Sequence, residues 1–134
     1  MSDQAVRQSD FEWTVKLPET IKNGHTAAVI GRIPGRVEFQ VLEAVEEATG
    51  ERFQGDYIYT GPGFNDDGVE STYMWFYLKF DHRGRHNIKF RMSWRKGSHL
   101  YGAVETFEIK SGDRYPPPDY SSAERELLSE LFNW

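Results

Sequence analysis

The chain has 134 residues, a formal net charge of −5 and no cysteine, which excludes disulfide staples and thiolate zinc sites and suits a reducing compartment. That length allows one domain with its own core, and 38% apolar with 28% charged residues excludes global disorder. No apolar run approaches the roughly 18 residues of a membrane-spanning helix.

Residues 1–9 are polar and read as a flexible N-terminus ahead of a single domain over 10–134. The opening MSDQAVRQSDFEW has no charged-then-apolar leader, so an intracellular location is expected. Phe11, Trp13, Val15 and Leu17 alternate with polar residues, predicting a strand that Pro18 stops. Two prolines and three glycines make 18–36 a long loop with a short buried run at Ala27 to Ile30. Val37, Phe39 and Val41 predict a second strand. The following LEAVEEATGERFQGD is either a helical turn ended by Gly50 or an acidic connection. YIYTGPGFNDDG gives a short strand and a turn-rich loop.

The segments 72–80 and 88–94 flank DHRGRHN and predict a hairpin with Gly84 at its tip, pairing Phe80 with Ile88. Met74, Phe76, Leu78 and Phe80 then share a buried face with Ile88, Phe90, Met92 and Trp94. A further strand covers 100–109, with Val104, Thr106 and Phe107 leaving its phase unsettled. YPPPDY is a stiff extended linker, since proline fixes φ and lacks a backbone donor. A helix over 121–132 follows, with Ser121 and Glu124 at capping-box spacing and Leu127, Leu128 and Leu131 on one stripe. The whole predicts a mainly β chain, an antiparallel β-sandwich closed by a short C-terminal helix.

Seven cations and one acid fall within residues 79–96, a local charge of +6 that leaves −11 for the rest of the chain. By alternation the hairpin's outward face presents Tyr73, Trp75, Tyr77 and Lys79 beside Lys89, Arg91, Ser93 and Arg95, with Tyr77 opposite Arg91 and Tyr73 opposite Arg95. Tyr73, Trp75, Tyr77 and Arg95 form the expected interaction surface. Arginine and lysine there could hold phosphate, and the rings could stack a base or a sugar. A solvated strand face is the plainer reading.

Other motifs carry less. His82 and His86 straddle the turn without a third ligand, so no metal is expected. NDDG at 65–68 lacks the alternating acids of a calcium loop, and GPG at 61–63 lacks the Lys-Ser/Thr of a phosphate loop. Nothing orders a serine and a histidine as nucleophile and base, so neither an enzyme nor a cofactor is expected.

LKFDHRGRHNIKFRM at 78–92 resembles the velvet family of fungal regulators through Leu78, Phe80, Arg83, Gly84, Ile88 and Phe90. FEIKSGDRYPPPDYSSAERELLSEL is similar to that family's closing segment through Phe107, Ile109, Ser111, Tyr115, Pro116, Ser122, Leu127 and Leu131. FEWTVKLPETIKNG followed by RIPGRVEFQV resembles its opening strands. The resemblance implies an immunoglobulin-like sandwich related to the DNA-binding domain of NF-κB-type factors. It also implies homodimers or heterodimers with another velvet-like protein, in the nucleus and cytoplasm, that control development and secondary metabolism. DNA contacts are then expected from Lys22, Arg32 and Arg36 in the long loop and from Arg83, Arg85, Lys89 and Arg91. Two alternatives stand beside this: a partner subunit that does not grip DNA itself, and a carbohydrate- or ligand-binding sandwich stacking on Tyr73, Trp75 and Tyr77.

Overall fold

Alternating side chains build a sandwich, and a computed structural model describes residues 11–64 and 68–132 of it. The expectation for residues 1–9 and most of the NDDG turn lie outside the described residues. The strands are β1 (Glu12–Val15), β2 (Thr20–Lys22), β3 (Thr26–Pro34), β4 (Glu38–Glu46), β5 (Arg52–Phe53), β6 (Gly55–Thr60), β7 (Ser71–Lys79), β8 (Gly84–Lys96) and β9 (His99–Gly112). One helix, α1 (Ser122–Phe132), follows them. A four-stranded sheet runs β1-β3-β7-β6 and a five-stranded sheet runs β2-β9-β8-β4-β5. All pairings are antiparallel except β2 with β9. The chain's first strand region divides between the sheets, and the remaining order is that of an immunoglobulin-type sandwich.

The predicted hairpin does not form. β7 and β8 lie in different sheets, and residues 80–83 carry the chain across the sandwich. The alternation itself holds: Met74, Phe76 and Leu78 are buried, as are Ile88, Phe90, Met92 and Trp94. Their faces meet across the core instead of side by side, with the Phe76 and Phe90 ring centroids 5.4 Å apart. β7 takes β3 and β6 as neighbours, so Tyr77 lies opposite Ala28 and Tyr73 opposite Arg32 and Ile58. The expected Tyr77–Arg91 and Tyr73–Arg95 pairs are therefore absent. A two-residue loop at Gly97–Ser98 makes the actual hairpin, pairing Lys96 with His99, and Gly97 has φ +64° as such turns require.

The expected loop over 18–36 is largely sheet. β3 is buried on both faces from Ala27 to Gly31, so it reads as a continuous run and shows no alternation. Its small residues permit close layers: a Cβ on Gly31 would stand 2.6 Å from the Phe11 ring. The ambiguous acidic stretch resolves into the end of β4, a turn through Gly50, and β5. At the edge, β6 is blunted where Asp56 Oδ1 accepts the Tyr57 N–H at 2.8 Å.

The helix starts as its sequence requires. Glu124 N donates to Ser121 Oγ at 3.1 Å, and Ser121 N donates to Glu124 Oε1 at 2.8 Å. Leu127 and Leu128 are buried against Val15, Ala28, Ile30 and Tyr73, which lays α1 over the outer face of the four-stranded sheet. The outer face of β7 is thereby covered. Tyr73 is 2% exposed, and Trp75 and Tyr77 are half-buried with ring centroids 5.0 and 5.5 Å from Phe132. These three rings are packing for the helix and form no open surface.

Candidate nucleic-acid interface

The outer face of the five-stranded sheet remains uncovered by the helix, and there the odd residues of β8 behave as expected. Arg85, Arg91 and Arg95 are exposed and Lys89 is half-buried. Arg91 pairs with Glu43 at 3.1 Å, and Arg52 joins the same carboxylate at 2.8 Å. The Arg52 hydrogen bond, aided by both guanidinium charges, holds the Glu43 carboxyl below its ordinary value. Lys89 lies between Val45 and Thr106, and Arg95 between Glu38 and Leu100. These three cations are spread along the sheet, each with a different neighbourhood.

Convergence occurs at one end of the sandwich. Gly84, with φ +124°, opens β8 opposite Ser111, and Arg85 follows opposite Lys110. Beyond β9 the chain turns, Tyr115 N donating to Gly112 O at 3.3 Å, and the Arg114 guanidinium stands 5.4 Å from the Tyr115 ring centroid. A groove of about 580 Å³ lies here, walled by Arg83, Arg85, Lys110 and Arg114 and floored by Ser111 and Gly112. Asp113 is the one acid on its lining. The β2–β3 turn shares this end: Lys22 Nζ donates to the Asp113 carbonyl at 3.2 Å, and Gly24 N donates to Phe80 O at 2.9 Å.

Arg85 and Lys110 are directly opposed like charges, an arrangement that destabilises a strand pair. The neighbouring Glu108 approaches Arg85 only to 4.0 Å. An anionic ligand could bridge the two cations.

Beneath the groove sits a buried polar cluster. His86 Nδ1 is 2.6 Å from Glu46 Oε2, and His86 Nε2 is 2.9 Å from Ser111 Oγ and 3.1 Å from the His82 carbonyl. Ser111 Oγ in turn donates to that carbonyl at 2.6 Å. The cluster ties the end of β4, the β7–β8 connection, β8 and β9 into one unit, fixing the backbone that carries Arg83, Arg85 and Lys110. Both histidines are thus joined, ring of one to backbone of the other, and among the described residues no group of three metal-ligating side chains occurs.

Of the sequence-predicted DNA residues, Lys22, Arg83 and Arg85 are brought together. Arg32 and Arg36 stand toward the other end: Arg32 donates to Ser71 Oγ at 2.9 Å and pairs with Glu12 at 3.1 Å, while Arg36 lies 5.0 Å over the Tyr59 ring. Sequence reasoning missed Lys110 and Arg114. The signal was present in KGSH, because a two-residue turn at 97–98 fixes the register that sets Lys110 beside Arg85.

A comparison with protein-family models finds no match, and a comparison with curated proteins finds none.

Proposed function

We propose that this domain is a velvet-like transcriptional regulator that contacts the phosphates of DNA through the cationic end of its sandwich. The observation that carries the reading is the meeting of Arg83, Arg85, Lys110 and Arg114 around one groove in a chain whose net charge is −5. Lys22, on the adjoining turn, extends the same positive end. Phosphate is the ligand that suits forked guanidinium donors, and the acidic remainder of the chain would orient a polyanion toward this end alone. Dimerisation, nuclear location and control of development and secondary metabolism accompany the velvet resemblance and belong to this proposal.

Fluorescence anisotropy with duplex DNA across a salt series tests it. Removing one phosphate-neutralising cation should flatten the slope of log affinity against log salt by about 0.9. Arg83→Ala and Arg114→Ala should each do so, whereas slopes unchanged from the parent chain would remove the groove from DNA binding.

A second reading, a partner subunit that leaves DNA to another chain, is favoured by one feature. The uncovered sheet face carries Val104, 59% exposed, and Leu100, 42% exposed, in a row on β9. Failure of the isolated protein to bind DNA, with binding by a mixed dimer, would select it.

A further inference from the structure

The core-facing side of β9 presents Tyr101, Ala103, Glu105, Phe107 and Ile109, opposite the buried Trp94, Met92, Phe90, Ile88 and His86 of β8. Glu105 is the one acid in that row, standing where the pattern requires an apolar residue. Departures of this kind concentrate at functional positions. The chain crosses from β1 in one sheet to β2 in the other, so β1 and β9 flank the gap between the sheets without pairing.

A cleft of about 390 Å³ opens in that gap, within the size range of small-molecule sites. Trp13, Leu17, Phe90 and Phe107 wall it, and Glu105 and Lys16 supply its charges. Trp13 meets Phe90 and Phe107 edge-on, with centroids 5.1 and 6.1 Å apart. Glu105 Oε2 accepts the Trp13 indole N–H at 3.3 Å, a long hydrogen bond that leaves the carboxylate capacity for a stronger donor. Glu105 is half-buried, while Lys16 is exposed. The inner charge is therefore negative and the outer one is screened by water.

We propose that this cleft binds a small organic cation with an aromatic body, of the arylalkylamine class. The ammonium would donate to Glu105, and the ring would lie against Trp13 and Phe107, where aromatic walls favour both the apolar body and the cation. This site is separate from the cationic groove, which repels the same ligand, so it stands or falls independently of DNA binding.

Phenethylamine is the probe, and the indole N–H resonance of Trp13 in two-dimensional NMR is the readout. A saturable shift is expected, with 3-phenylpropionate, the acid of matching body, at least about tenfold weaker. Glu105→Gln keeps an acceptor for Trp13 but removes the charge, and should weaken phenethylamine about tenfold. Lys16→Ala, which removes an opposing charge, should strengthen it about twofold. No shift up to about 10 mM amine would overturn the proposal. So would equal binding of the acid, undiminished binding by the Glu105→Gln protein, or weaker binding after Lys16→Ala.

Discussion

His86 and Glu46 share a hydrogen between Nδ1 and Oε2 at 2.6 Å, with each side chain 8% exposed. On the ring's other side Nε2 faces the His82 carbonyl and Ser111 Oγ, and the serine's hydrogen is already given to that carbonyl. A hydrogen on Nε2 would serve both of those oxygens. His86→Leu should leave Glu46 buried without its partner and cost about 3–5 kcal/mol in urea unfolding. Glu46→Gln can donate its amide hydrogen to a bare Nδ1, keeping every group satisfied, and should cost less than about 1 kcal/mol. Equal losses in the two proteins would refute this hydrogen-bonding arrangement.

Tyr120 fastens the segment before α1 to the four-stranded sheet, its hydroxyl oxygen accepting the Ala28 N–H at 3.1 Å. Burial pushes its pKa up, opposed by the Ala28 hydrogen bond and assisted by the nearby Glu124 charge. A raised acid pKa means that the folded protein prefers the neutral phenol. Its contribution is complete below the ordinary tyrosine value of about 10 and is lost as pH rises beyond it. Tyr77, raised by burial near Phe132, adds to the same alkaline loss. Tyr120→Phe should cost about 1–3 kcal/mol at neutral pH, because Ala28 N loses its acceptor, and should fall less steeply above about pH 10. Thermal melts at neutral and alkaline pH measure both effects.

Two glycines sit at close approaches to their neighbours, and they should respond differently. A Cβ at Gly55 would lie 2.5 Å from the Phe76 ring and 2.7 Å from the Trp75 carbonyl oxygen. At Gly31 its three nearest atoms would all be side-chain ones, of Phe11 at 2.6 Å and Met74 at 2.7 Å. Side chains can turn aside, whereas the Trp75 backbone is held in the centre of a sheet. Gly31→Ala should cost about 1–3 kcal/mol as ordinary overpacking, and Gly55→Ala should cost more. Chemical denaturation of the pair decides the order.

Fold class was legible because alternation survives whatever the pairing. Ile88, Phe90, Met92 and Trp94 point inward in a hairpin or across a sandwich alike. Pairing was not legible from alternation, since Phe76 could face Phe90 from either arrangement. Tyr73, Trp75 and Tyr77 misled for a related reason: a strand with its second face under a helix carries large residues on both sides, and that face reads as an exposed ring platform when the helix is left unplaced. The phase of β9 was obscured by Glu105, an acid on the inner face, and by Val104 on the outer one. Arg83 and Arg85 could be singled out by local charge, but Lys110 needed the register and Arg114 needed the turn beyond Gly112.

That register yields a test separating binding from stability at a single position. Lys110 faces Arg85 across β9 and β8, so Lys110→Glu converts a like-charge pair into an opposite-charge one. Removing the repulsion and gaining an attraction should stabilise the domain by about 0.2–1 kcal/mol. The same change places a carboxylate in the groove wall, so DNA affinity should drop and the salt slope should flatten by about 1. Arg36→Ala, at the other end of the sandwich beside Tyr59, should leave the salt slope unaltered. A residue retained for packing alone would lose stability when changed, so a more stable protein that binds DNA less well marks Lys110 as kept for its ligand. A Lys110→Glu protein that gained stability yet bound DNA with the parent's affinity and slope would place the DNA-binding surface elsewhere on the domain.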